Sequence, residues 1–384
     1  MFKRFKTRIS FKISRFEVMT EKINKKILII KLSSLGDLFH TFPALSEAKE
    51  KNPDFEFDWL VDESFAEVPK INPAVSQVLT MPLRAWSKDK FNISKFLNLI
   101  KSIKKLRAQK YDLVIDAQGL IKSGLLTYLS RANLKKGLDK QSAREPWASF
   151  FYQESFYIEK NQHAIDRLKI LFSKSLNQNL GVGANIVFAR EYVAKTKNKT
   201  ELKTILFLHG TTWKTKHWPD LYWIELGQKL TQAGFKILLP WGNQQEKSRA
   251  ELFSKNFTAE ILPKLSITEL AELMREKISG IVALDSGLTH LAAALNIPTV
   301  SLYGPTDPVK TGPRGLNQVV LQADFPCAPC LSKTCKYQGV NPDPRIFPAC
   351  FSQISPEKVS SALLKLIKLT FDQDFLAIKN NGQF

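Results

Sequence analysis

One local pattern recurs through this chain and limits what it can fold into. A short aliphatic, β-branched run ends in a loop of small or polar residues, and a helical pattern follows. The first instance is KKILIIKL from Lys25, then SSLGD, then a helical stretch around Ala44 to Lys49. Further runs of strand length are FEFDWLV at 55–61, VSQVLTM at 75–81 and DLVIDAQ at 112–118, with a helix-like stretch from Ile93 to Leu106. After about residue 185 the pattern starts again, with TILFLHG at 204–210, FKILLPWG at 235–242, GIVALDSG at 280–287 and TVSLYGP at 299–305. Strands that alternate with helices need both faces of a parallel sheet covered. The expectation is an α/β protein with two doubly wound, Rossmann-like halves, and a ligand cleft at the carboxyl ends of both sheets.

The boundaries follow from composition. Residues 1–24 read as a basic extension, 25–185 as one half and 200–353 as the other, with a helix and tail at 354–384. The polar segment from Asn177 to Lys203 carries the expected junction. The first eighteen residues of the extension interleave six Lys and Arg with Phe2, Phe5, Ile9, Phe11, Ile13 and Phe16, but lack the continuous apolar stretch of a secretory signal. It reads as a disordered leader, with translation from Met19 and an amphipathic membrane-surface segment as competing readings. No apolar run is long enough to span a bilayer. The formal charge of +20 over 384 residues calls for an anionic partner: a nucleic acid, an acidic membrane or a phosphorylated small molecule. No recognised nucleic-acid-binding motif accompanies it.

The loops after the strands hold the chemistry. In ALDSGLTHLAAAL a strand ends at Asp285, and Ser286-Gly287 opens a helix whose amides and dipole suit a phosphate. Thr289 and His290 lie within the first turn; an ordinary capped helix start is the alternative. LHGTTWKTKHWPD offers Thr211 and Thr212 hydroxyls followed by Lys214 and Lys216, a set suited to a diphosphate or to a solvated basic loop. Glu246, after the next strand, is placed either for a ribose hydroxyl pair or merely for the helix dipole. Asp37, after SSLG, either caps its helix or stands in the cleft as a general base. No Walker lysine motif or dinucleotide fingerprint is present.

These segments together resemble the lipopolysaccharide heptosyltransferases of glycosyltransferase family 9, the type I branch most closely. The resemblance runs from about Lys25 to the terminal helix. It rests on KLSSLGDLFHTFPAL, FDWLVDESFAEVP, YDLVIDAQGLIKSGLL, QSAREPWASFFY, LHGTTWKTKHWP, LPWGNQQEK, LPKLSITELAELM, DSGLTHLAAAL and YGPTDP. It implies a GT-B fold and inverting transfer of heptose from ADP-heptose to a Kdo residue of lipid A, on the cytoplasmic face of an anionic inner membrane, with no cofactor. By resemblance Asp37 is the catalytic base. Thr211, Thr212, Lys216, Glu246, Leu265 at the adenine, Asp285, Ser286, Gly287 and His290 hold the donor. Arg84, Lys88 and Arg144 meet the acceptor, although Ala85 and Ser87 stand where the family carries basic residues.

A second departure is FPCAPCLSKTCKYQGVNPDPRIFPAC, which resembles an insert of other members, including type II enzymes. Its Cys327, Cys330, Cys335 and Cys350 have a spacing too irregular to favour a structural zinc. A type II or other family 9 transferase, a sugar-nucleotide epimerase and a non-catalytic nucleic-acid binder are the competing functions. The Asp372-Gln373-Asp374 triplet stands outside any strand–loop setting and is given no metal role.

Overall fold

The computed structural model describes residues 25–89, 92–181 and 203–381, with side chains as far as 370. The basic extension, most of the expected junction and the side chains of Asp372 and Asp374 lie outside the described residues.

The first half comprises β1 (Lys26–Ile30), α1 (Leu35–Lys51), β2 (Glu56–Asp62), β3 (Val75–Met81), α2 (Leu83–Lys88), α3 (Ile93–Ala108), β4 (Lys110–Asp116), α4 (Ile121–Leu129), β5 (Arg131–Leu138), β6 (Glu154–Phe156) and α5 (Ala164–Leu176). The second comprises β7 (Thr204–Leu208), α6 (Asp220–Gln232), β8 (Lys236–Leu239), α7 (Gln244–Ser254), β9 (Ala259–Ile261), α8 (Ile267–Lys277), β10 (Gly280–Leu284), α9 (Gly287–Ala294), β11 (Thr299–Tyr303), β12 (Gln318–Gln322) and α10 (Pro356–Asn381). Two parallel six-stranded sheets result, ordered β3-β2-β1-β4-β5-β6 and β12-β11-β10-β7-β8-β9. In both, the chain order reverses beside the first strand, between β1 and β4 and between β7 and β10. A ligand crevice opens at such a switch point.

The central strands alternate sides as their sequence demands. Ile27 and Ile29 of β1 enter one core while Leu28 and Ile30 enter another, so the run has no polar position because neither face meets water. β5, β6, β9 and β12 did not stand out in the sequence. β5 carries Arg131, Lys135 and Lys136, the last buried and paired with Glu154 of β6 at 2.9 Å. β6 and β9 have three residues each, and β12 is only half buried. Edge strands need no continuous apolar run. The terminal helix extends past the expected Leu369 to Asn381.

The halves are not separated along their whole boundary. A single apolar core contains Ile27 and Phe42 from the first half together with Leu208, Ile281 and Leu291 from the second. Polar links cross as well: His163 Nε2 lies 3.0 Å from the Gly312 carbonyl, and Arg314 pairs with Asp166 at 2.7 Å.

Candidate active site

Two loops meet where β1 and β4 end. The Gln118 side-chain oxygen accepts hydrogen bonds from the amides of Leu32 (2.9 Å) and Ser33 (3.1 Å), so the loop after β4 fixes the loop after β1. Gln118 is itself set by Asp116, whose Oδ1 accepts its amide at 2.8 Å. Ser34 starts α1, and Asp37 Oδ2 accepts both its amide (2.9 Å) and its hydroxyl (2.8 Å). One oxygen of Asp37 therefore caps the helix. The side chain as a whole lines a cavity of about 420 Å³.

The wall of that cavity is cationic: Lys31, Arg144, Lys160 and Arg167, with Gln118 and Ser142 between them. Lys31 is buried and donates to the Ala117 carbonyl at 2.9 Å. Burial pushes its pKa down, while Asp37 and Asp116 pull it up against Arg167 and Arg144. For Asp37, burial pushes the pKa up, but Lys31, the two Ser34 hydrogen bonds and His290 outweigh it and hold the carboxyl below its ordinary value. Asp37 is thus ionised at neutral pH beside a cavity suited to an anionic, hydroxyl-bearing molecule.

Across the boundary, β7 and β10 present the second set. Lys216 Nζ lies 2.6 Å from Asp285 Oδ2 and 4.5 Å from the Trp213 ring centroid. Thr211 Oγ1 donates to the Asp285 carbonyl at 3.0 Å. His290 is buried, and burial above all lowers its pKa to about 4, with Asp285 and Asp37 opposing. It sits one turn into α9, between Asp285 and Asp37. The amino ends of α1 and α9 meet here, so two positive helix ends face one region.

The amino-acid sequence places this architecture among known proteins. The profile of glycosyltransferase family 9 (heptosyltransferase) matches residues 99–341. The chain is 42% identical to lipopolysaccharide heptosyltransferase 1 of Pseudomonas aeruginosa over 347 residues, covering 88% of this chain and 97% of that one. The chain belongs to glycosyltransferase family 9. It is also 40% identical to lipopolysaccharide heptosyltransferase 1 of Escherichia coli K12 over 305 residues, 78% of this chain and 93% of that one. The structure of the E. coli heptosyltransferase WaaC with ADP superposes with a TM-score of 0.76 at 36% identity, covering 89% of this chain and 99% of that one. The same enzyme has been solved with ADP-2-deoxy-2-fluoro heptose. The two facing sheets are the family 9 version of the GT-B fold.

Within that family 9 frame, Asp37 and Arg144 share one cavity, whereas Arg84 and Lys88 are not among its lining residues. Arg84 stacks on Phe65 at 4.4 Å, and its amide donates to Asp62 at 3.1 Å. Ser286 occupies the N-cap position of α9, where its side chain makes no capping bond to the backbone, and its hydroxyl lies 3.4 Å from that of Thr289. Thr212 is exposed on the loop after β7. Glu246 folds back under the strand end to accept the Gly242 amide at 2.7 Å, and a β-carbon on Gly210 would meet it at 2.6 Å. Leu265 packs half-buried against the core before α8.

Gly287 opens α9 against α1. A β-carbon there would fall 2.5 Å from Leu35 Cγ and 2.7 Å from Leu35 Cβ. The missing side chain makes room for α1.

Lys31, Gln118, Lys160 and Arg167 escaped the sequence reading. Lys31 looks like the ragged end of a strand, and only the fold brings it beside Asp37. Gln118 stands within YDLVIDAQGL, and its place directly after a strand is the available signal. The cysteine segment braces the loop that carries Lys216: Thr215 donates to the Ser332 carbonyl at 2.7 Å, and Lys333 lies 5.7 Å from the Trp213 ring centroid. Burial, reinforced by the other three thiols, pushes the Cys350 thiol up to about 12. Among the described residues no group of three His, Cys, Asp or Glu is placed to hold a metal ion.

Proposed function

We infer that this chain transfers heptose from ADP-L-glycero-β-D-manno-heptose to Kdo of lipid A, with inversion, as an early step of lipopolysaccharide core assembly. The observation that carries the mechanism is the ionised Asp37 in a cation-walled cavity, facing Lys216, Asp285 and His290 across the boundary between the halves. Residues 25–185 hold the acceptor in this reading and residues 200–353 the donor.

Asp37 takes the proton of the acceptor hydroxyl as its oxygen attacks the anomeric carbon. The bond from that carbon to the β-phosphate oxygen breaks from the opposite face, and ADP leaves with the electron pair. The diphosphate gains negative charge as it departs. Lys216 and the amide end of α9, with Ser286 and the hydroxyls of Thr211 and Thr212, meet that charge. Asp285 and His290 adjoin the transferred sugar, Glu246 holds the ribose and Leu265 flanks the adenine. Arg144, Lys160 and Arg167 pair with the carboxylates of Kdo, and Arg84 and Lys88 serve the outer, phosphorylated part of the acceptor. ADP-heptose is a substrate, and the reading assigns no resident cofactor and no zinc to the four cysteines. The net charge of +20 suits work at the cytoplasmic face of an anionic inner membrane.

The cysteine segment that braces the donor loop favours one second reading, a type II enzyme that acts on an acceptor already carrying a heptose. Incubation with ADP-heptose and Kdo-lipid A, followed by mass spectrometry of the lipid, separates the two. Addition of one heptose to an unheptosylated acceptor is the expected result. Transfer only to a pre-heptosylated acceptor would replace type I by type II.

A further inference from the structure

Two neighbouring elements of the first half turn large apolar side chains to solvent. On α4, Ile121, Leu125 and Tyr128 recur at a spacing that puts them on one face, with Tyr128 62% exposed. Beside it, the 3-10 segment Pro146–Phe151 exposes Trp147 (67%) and Phe150 (75%), whose rings stack with centroids 5.5 Å apart. The elements are fastened together. Glu145 accepts the Ile121 amide at 2.7 Å, and Gly124 has no side chain because a β-carbon would strike Phe151 at 2.6 Å. The buried sides thus hold one another while the outward sides remain apolar.

The rim is cationic. Lys135 donates to the Tyr128 carbonyl at 2.8 Å and lies 5.5 Å from its ring centroid, and Arg107 donates to the Leu129 carbonyl at 2.8 Å. Lys122 is exposed on α4, and Arg144, two residues before Pro146, lines the acceptor cavity. Glu145, committed to Ile121, is the acidic residue among them.

We propose that this face is a membrane-docking surface, with Trp147, Phe150 and Tyr128 entering the headgroup–acyl boundary of an anionic phospholipid leaflet. Aromatic side chains with apolar bodies suit that boundary, and the Lys and Arg rim meets the phosphates above it. A second copy fits less well: symmetric self-association would set this cationic rim against its own image. The surface adjoins the wall of the cavity through Arg144, so a lipid-anchored acceptor reaches Asp37 without leaving the leaflet. That last step rests on the glycolipid-acceptor reading above; the docking itself does not.

The test uses the full chain and its Trp147→Ser/Phe150→Ser variant in flotation with vesicles of phosphatidylglycerol and phosphatidylethanolamine, and with phosphatidylcholine alone. Both replaced side chains are mostly exposed, so folding is spared. The parent should float with anionic vesicles and the variant about tenfold less. ADP affinity, and turnover on a water-soluble acceptor stripped of its acyl chains, should stay within about twofold, since neither residue touches the cavity. Equal flotation of parent and variant overturns the proposal. So does a parent dimer by light scattering that the variant converts to monomer with vesicle binding intact, for then the face joins two copies. If neither protein turns over any Kdo acceptor while the flotation difference persists, the function reading fails and the docking surface stands.

Discussion

Gly36 and Gly287 face each other across the boundary between the two halves, the Gly287 α-carbon lying 3.8 Å from where a β-carbon on Gly36 would stand. That point is also 3.1 Å from His290 Cδ2. The two bare backbones let the amino ends of α1 and α9 approach closely, which brings Asp37 beside His290. The closeness of Asp37 to His290 therefore depends on close packing between the halves.

Gly287→Ala puts a methyl group into the space of Leu35, and overpacking of this kind costs about 1–3 kcal/mol. We expect a lower melting temperature and reduced turnover, with part of both restored in Gly287→Ala/Leu35→Gly, which removes the Leu35 Cβ as well as its Cγ. Thermal melts and steady-state rates on the single and double variants check this. A double variant no better than the single would show that Leu35 is not the obstructing group.

Asp37→Asn retains an oxygen to accept both Ser34 hydrogen bonds, so its half of the capping box with Ser34 survives. It removes the proton acceptor, so turnover should fall by about 10² to 10⁴. ADP affinity should hold because the proposed nucleotide site belongs to the other half. Rates, calorimetry and melting on one preparation decide the matter, and wild-type turnover would end the base assignment.

Arg167 donates to the Ser142 carbonyl at 2.8 Å while lining the cavity proposed to take the acceptor. Arg167→Met keeps much of the side chain's bulk and removes its charge. We expect the KM for the Kdo acceptor to rise about tenfold, the equivalent of roughly 1.4 kcal/mol, with the KM for ADP-heptose little changed. A selective rise in the donor KM would place Arg167 in the wrong site.

Acid should loosen the boundary between the halves. His40 is buried, with no hydrogen-bond partner at either ring nitrogen among the described residues. Its ring centroid is 4.2 Å from that of His290 and 6.1 Å from that of His163. Lys31 and Arg314 also act on it. Burial first, then these neighbouring charges, pushes its pKa well below the ordinary value. Burial likewise lowers His163, and His290 to about 4. A depressed folded pKa means that the unfolded chain binds protons first. Stability is therefore full above about pH 6.5 and falls as the pH drops toward 4. His40→Leu should flatten the melting-temperature profile over that window. An unchanged profile would assign the acid sensitivity elsewhere.

Much of the fold was legible in the chain itself. Strands such as Ile27–Ile30 and Val282–Leu284 are buried on both sides, which leaves an unbroken aliphatic run that few other structures tolerate. Asp37, Lys216 and Asp285 were legible because each follows such a strand, where a doubly wound sheet presents its ligand groups. Edge strands β6 and β9 were not, since three half-exposed residues need no distinctive pattern.

Tertiary structure alone decided the rest. Lys31 and Arg167 are 136 positions apart and share a cavity wall only because α5 packs against α1. Local sequence carries no record of that distance. The same holds for Gly287, where a β-carbon would meet Leu35, a residue from the other half of the chain. Local sequence determined the periodicity, the caps and the loop chemistry, because these depend on neighbours along the backbone. The ionisation of Asp37, the cationic wall and the close approach of α1 to α9 depend on neighbours in space, and folding alone supplies them.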